Sequence, residues 1–211
     1  MNKSPARNQF GKDPVLAKHE SQQQRPGNLI VLTGPSGVGK GTLTARLLAE
    51  VPGLVKSVSV TTRDKRPQEQ EGVDYFYLSR QEFEDMKPDL LEWAEFAGNC
   101  YGTPQKWVDQ QIKAGNDVLL EIEVQGAHQI RNKRAESLLI FVSPPSFDAL
   151  RQRLESRGTE SEEKIARRLA KANDELAQKK QFHYEVINDD IEEAVNNLRH
   201  IVYAERCRIR K

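Results

Sequence analysis

A chain of 211 residues is long enough to bury one sizeable core, and one compact unit with insertions is the expectation. Its 32 basic and 31 acidic side chains nearly cancel, which leaves no overall field to draw nucleic acid or an anionic membrane, so an anionic ligand has to be met locally. The two cysteines, Cys100 and Cys207, stand in no metal-type or C-x-x-C spacing, which excludes a disulfide framework and fits a reducing cytoplasm.

Residues 1–27 are polar, glutamine-rich and broken by prolines, with no apolar run long enough for a signal peptide or membrane span. They read as a disordered extension. From Leu29 the pattern changes: "LIVLTG" reads as a buried strand and "GKGTLTARLLAEV" as a helix. Between them lies "TGPSGVGKGTL", a glycine loop suited to cradling phosphate on converging backbone N–H groups and a helix N-terminus. Gly34, Pro35, Ser36, Gly37, Val38, Gly39, Lys40, Gly41 and Thr42 make up the candidate phosphate site. The strict pattern G-x-x-x-x-G-K-[ST] fails at its last place, where Gly41 replaces the hydroxyl that would ligate magnesium and Thr42 comes one residue late. Mg²⁺ would then be held by nucleotide phosphates, water and outer-shell carboxylates.

Further along, "LVKSVSVTTR", "DVLLEIEV", "SLLIFVS" and "YEVIN" read as strands separated by helices. Their continuous apolar runs predict a parallel sheet covered on both faces, a doubly wound α/β core. Two regions break the rhythm. Residues 63–103 hold short aromatic strand candidates and predict an antiparallel insertion; residues 146–170 are almost wholly charged and helical, too polar for core, and predict a mobile arm.

Arg63, Arg66 and Tyr75 fall close together in "TTRDKRPQEQEGVDY" and suit a second phosphate, with a solvated charged loop as the plain alternative. Glu92, Glu121 and Glu123 lie in apolar surroundings where an unpaired carboxylate is costly; each needs donors, from a ligand or from a buried arginine.

Together "GPSGVGKGT", "SVSVTTR" with "RP", "EGVDYFY", "EWAEFAGNCYGT", "EIEVQGA", "RGTESEE" and "INDD", in this order, resemble the guanylate kinase family, from about Asn28 to the C-terminus. The resemblance implies a P-loop α/β core (28–60, 106–145 and 171–211), a mixed α+β GMP-binding insertion (61–105) and a helical lid (146–170). It implies Mg²⁺-dependent phosphoryl transfer from ATP to GMP, with neither nucleic acid nor membrane as partner; the oligomeric state stays open. Arg63, Arg66, Tyr75 and Tyr101 would hold the GMP phosphate. Glu92 would read the guanine edge with Ser59 and Thr103 beside it. Glu123 would be a second acidic contact, direct or through water, because "EIE" stands where "DID" is commoner. Glu121 would face the magnesium, Lys40 with the lid arginines Arg157 and Arg168 would act on the transferring group, and Asn188 would lie on the adenine side. The rival reading is a non-catalytic guanylate-kinase-like module that binds phosphopeptides; the intact Lys40, Arg157 and Arg168 favour the enzyme.

Overall fold

The computed structural model describes residues 25–96, 98–156 and 161–209. The chain enters on β1 (Leu29–Thr33), five wholly buried residues, and turns through the glycine loop into α1 (Lys40–Glu50). The single strand expected over 54–63 is two strands in different sheets, β2 (Leu54–Lys56) and β3 (Ser59–Thr61). β-Branched residues continue across the break, with Val55, Val58 and Val60, so composition could not reveal the change of partner at Ser57, whose N–H bonds Leu119 O of the first sheet (3.1 Å).

Next come β4 (Tyr75–Tyr77), α2 (Arg80–Met86) and the hairpin of β5 (Leu90–Phe96) and β6 (Asn99–Pro104). Then follow α3 (Gln105–Lys113), β7 (Asp117–Glu121), α4 (Val124–Lys133) and β8 (Leu138–Ser143). The chain finishes with α5 (Phe147–Glu155), α6 (Glu162–Ala177), β9 (Tyr184–Ile187) and α7 (Ile191–Arg206).

The first sheet has the order β2-β7-β1-β8-β9 and every pairing in it is parallel. Helices cover both faces, as the unbroken apolar strands require: Ile30, Leu32 and Ile140 pack toward α1 and α7, while Leu29, Val31 and Leu139 pack toward α3 and α4. The second sheet, β4-β3-β6-β5, is not wholly antiparallel as expected. Its β3–β4 pair is parallel, because the loop 62–74 is long enough to carry the chain back to its starting end.

Residues 146–156 and 161–170 are also less polar in their packing than their composition suggests. Leu150 and Leu154 of α5 meet Leu169 and Ala172 of α6, with Phe147 and Ile165 against them, in a small core of their own. The apolar residues recur at helical spacing, so a charged helix still owns one dry stripe. Helix α6 runs on past 170 to Ala177.

Residues 1–24 of the expected extension lie outside the described residues, but 25–27 do not behave as a tail. Gly27 is buried and donates to Ile112 O (2.8 Å), and Arg25 pairs with Asp117. Cys100 is buried, Cys207 exposed, and both are free thiols. Among the described residues no helix is long and apolar enough to cross a membrane.

Candidate active site

The phosphate loop is fixed by backbone that only glycine tolerates. Gly34 has φ 146°, and a Cβ there would meet Val142 O at 2.2 Å. Gly39, the residue that opens α1, has φ 99°, and a Cβ there would meet Nδ2 of Asn188 at 2.5 Å. Between them Val38 is buried, its N–H returning to Pro35 O (3.2 Å). Lys40 folds back over this turn and donates through Nζ to Gly34 O (2.5 Å) and Pro35 O (3.2 Å). Burial lowers its pKa, opposed by the Glu123 and Glu121 carboxylates. Gly41 and Thr42 are exposed at the start of α1.

Two neighbours brace the loop. Ser36 Oγ accepts from Arg168 of α6 (2.7 Å), and Asn188 donates from Nδ2 to Val38 O (2.8 Å) while Arg153 donates to Asn188 O (2.9 Å). Asn188 thus stands directly behind the loop. Arg157 lies outside the described residues.

In front of the loop, outside the carboxyl ends of β1 and β7, is a cavity of about 270 Å³. Lys40 lines one part of it. Strand β3 and its following loop bring Ser59, Arg63 and Arg66; β4 and β6 bring Tyr75 and Tyr101, whose rings meet edge to face at 6.0 Å. Strand β5 brings Glu92, the end of β7 brings Glu121, and the residue capping α4 is Glu123. Lys40 of the glycine loop and Arg63, Arg66 and Tyr75 of the second expected cluster are therefore neighbours around one space, while the other loop residues, 34–39, 41 and 42, do not line it. The separation of those four in the chain is erased because strands of both sheets, β3, β4, β5 and β6 of the second and β7 of the first, supply or lead into the lining of the cavity.

Glu92 is 4% exposed, and its Oε1 accepts from the Thr103 hydroxyl at 2.6 Å, a cross-strand pair of β5 and β6. Burial raises its pKa to about 7, opposed by the Thr103 bond and the charge of Lys133. Space behind it exists because residue 126 is glycine: a Cβ there would lie 2.3 Å from Glu92 Oε2. Strand β5 is held against α4 by Gln129, which accepts from Trp93 N (3.2 Å) and donates to Trp93 O (2.6 Å).

Glu121 stands beside the departure from the strict loop pattern, its Oε1 3.6 Å from where a Cβ at Gly41 would be, with Lys56 Nζ 3.4 Å from its Oε2. Glu123 accepts from Lys171 of α6 (2.7 Å), and Glu175 lies 3.5 Å from the same ammonium. Burial pulls the Lys171 pKa down, but the two carboxylates leave it above its ordinary value.

Sequence reading passed over Glu69, Gly126, Gln129 and Lys171. The first had a signal, an acid inside the basic stretch "RDKRPQE"; the other three depend on contacts between distant elements.

A strand, glycine loop and helix under a folded-back lysine, facing a second arginine and tyrosine cluster, define a P-loop nucleotide kinase. The guanylate kinase family model matches residues 26–205. Similar curated proteins include guanylate kinases of Desulfitobacterium hafniense strain Y51, 52% identical over 90% of this chain and 96% of that one, and of Synechococcus sp. strain JA-3-3Ab, 49% identical over 90% of each. A solved structure of guanylate kinase from Anaplasma phagocytophilum covers 88% of this chain and 89% of its own, with a TM-score of 0.73 at 33% identity. The chain belongs to the guanylate kinase family, as a catalytic member rather than a non-catalytic binding module.

Proposed function

We propose that the chain moves the γ-phosphoryl group of Mg²⁺-bound ATP onto the phosphate of GMP, giving ADP and GDP, in the cytoplasm. One observation carries this reading: a single cavity is lined by Lys40 of the phosphate loop, by Arg63, Arg66, Tyr75 and Tyr101, and by the buried Glu92.

Phosphoryl transfer asks for alignment and charge neutralisation more than for covalent chemistry. The loop N–H groups and Lys40 hold the ATP phosphates, Nζ exchanging two carbonyl acceptors for phosphoryl oxygens. The arginines and tyrosines hold the GMP phosphate. Glu92 accepts from guanine N1–H and the 2-amino group, with Ser59 and Thr103 beside it; adenine offers a lone pair at N1 and is repelled. Glu123 borders the same space as a further acidic contact to guanine. Mg²⁺ fits the donor set if it rides on the nucleotide phosphates, with Glu121 reaching it through water where Gly41 supplies no hydroxyl. Bound there, the ion would neutralise charge on the transferring oxygens.

In this reading residues 61–105 are the GMP-binding insertion and α5 with α6 the lid, whose Arg168, together with Arg157, closes on the phosphoryl group and excludes water. Asn188 acts on the adenine side through the loop it supports. A coupled assay of ADP formation, with GMP and then AMP as acceptor at equal ATP, tests it. Turnover with GMP at least about a hundredfold above AMP is the expected result; equal rates would remove Glu92 from guanine selection.

A further inference from the structure

The most highly bonded carboxylate on the cavity wall is one that the proposed transfer does not use. Glu69 lies in the loop between β3 and β4, and its side chain is 12% exposed. Its two oxygens accept from Nη2 of Arg63 at 2.7 and 3.0 Å. One of them, Oε2, also accepts from the backbone N–H of Arg66 (2.9 Å) and from the Tyr77 hydroxyl (2.8 Å). Three separate parts of the second sheet, the end of β3, the following turn and β4, therefore converge on one carboxylate.

We propose that Glu69 is a positioning residue for the GMP phosphate, holding the Arg63 fork and the Arg66 turn ready without itself touching substrate. The proposal rests on the reading of this cavity as the GMP site. Nη1 of Arg63 is tied to Asp64 O (2.7 Å), and its guanidinium carbon lies 5.4 Å from the centre of the Tyr75 ring. The bonds to Glu69, Asp64 and the Tyr101 side chain occupy at most four of the five N–H donors of the guanidinium, so a donor is left for a phosphate while the plane of the fork is fixed. Arg63 and Glu69 stay ionised across the working range, since Arg63, then the Arg66 N–H, holds the Glu69 pKa at about 2.

The competing role would be a stand-in anion that leaves when phosphate arrives. The bonds to Arg66 N and Tyr77 argue against it, because departure would undo the turn that carries Arg66 as well as free Arg63. An arm ordered before binding loses less side-chain freedom on binding, and that difference appears as affinity.

The test compares wild type with E69Q, E69D and R63A, measuring KM for GMP and ATP, kcat, melting temperature and the inhibition constant of guanosine, which has the base without the phosphate. For E69Q the GMP KM should rise about tenfold or more, while the ATP KM, kcat and guanosine inhibition stay within about twofold. E69D, which keeps the charge, should recover part of the loss. A GMP KM that is unchanged or lowered in E69Q while R63A raises it would overturn the proposal, making Glu69 inert or a competitor. Equal weakening of GMP and guanosine would overturn it too, since Glu69 would then only hold the insertion together. If R63A leaves the GMP KM alone, the phosphate reading beneath the proposal falls, and the proposal with it.

Discussion

Lys40 and Glu92 show how one side chain can serve the proposed chemistry at a cost to the resting fold. Lys40 is an ammonium held on two carbonyls, a weaker set of partners than phosphoryl oxygens, so its full electrostatic value is reached only with substrate bound. Lys40→Met should leave the melting temperature within a few degrees and lower kcat at least about a hundredfold, the scale of losing one preorganised donor; a near-normal rate would detach Lys40 from the reaction. Glu92 carries the clearer cost. Its folded pKa, about 7, lies above the ordinary 4.5, so the native state prefers the neutral acid. The stability from that proton is complete below about pH 4.5 and lost as pH rises through about 7, a swing of about 3 kcal/mol. Glu92→Gln is neutral throughout and should melt higher than wild type at pH 8, the gap closing at pH 5, while its kcat/KM for GMP falls steeply. In wild type the kcat/KM for GMP should itself decline below about pH 7 as the acceptor is protonated. Parallel melting curves at both pH values would show that the carboxylate is charged at no cost.

Among the elements, α6 has the two-sided part. Its apolar stripe of Ile165, Leu169 and Ala172 docks on α5, whose Leu154 in turn lies against the loop at Gly37. Its polar edge delivers Arg168 to Ser36 and Lys171 to Glu123, so one rigid helix touches both the phosphate loop and the cavity wall. If this helix closes over the transferring group, Arg168 matters most in the transition state. Arg168→Ala should then lower kcat at least about tenfold with KM values for both substrates changed less than about threefold, checked by steady-state kinetics. A pure KM effect would make Arg168 a ground-state binding residue. The composition of this segment concealed the stripe: its buried positions are few, and they are recognised only by their spacing and by the partner helix that covers them.

At the scale of the whole molecule, Asp117 joins the two ends of the described fold. It is fully buried on β7, takes both arms of Arg25 (3.0 and 3.1 Å), the N–H of Asn28 (2.7 Å) and Nε of Arg206 at the end of α7 (2.7 Å). Asp117→Ala should cost about 2 kcal/mol, about 4–8 °C in Tm, less than a fully buried pair would, because Arg25 and Arg206 are 37% and 20% exposed and can rehydrate. An unchanged Tm would mean that the ties of Asp117 to Arg25, Asn28 and Arg206 contribute nothing to stability. Such a tie was invisible in a stretch that reads as tail: Arg25 looks like any charge in a polar segment until Asp117, 92 residues away, is brought beside it. Local information did determine a great deal. Apolar runs set the parallel sheet and the glycines and Lys40 set the phosphate loop, because strand burial, turn geometry and motif spacing are all properties of neighbouring residues, while "TTR", "RP" and "EWA" pointed to the proposed GMP site only through the family resemblance they carry. Only the tertiary structure split residues 54–63 between two sheets, set Glu69 under Arg63, opened room for Glu92 at Gly126 and placed Asn188 behind the loop. Each of those depends on elements far apart in the chain meeting at hydrogen-bond or van der Waals distance, and their final neighbours are chosen by packing the whole core at once.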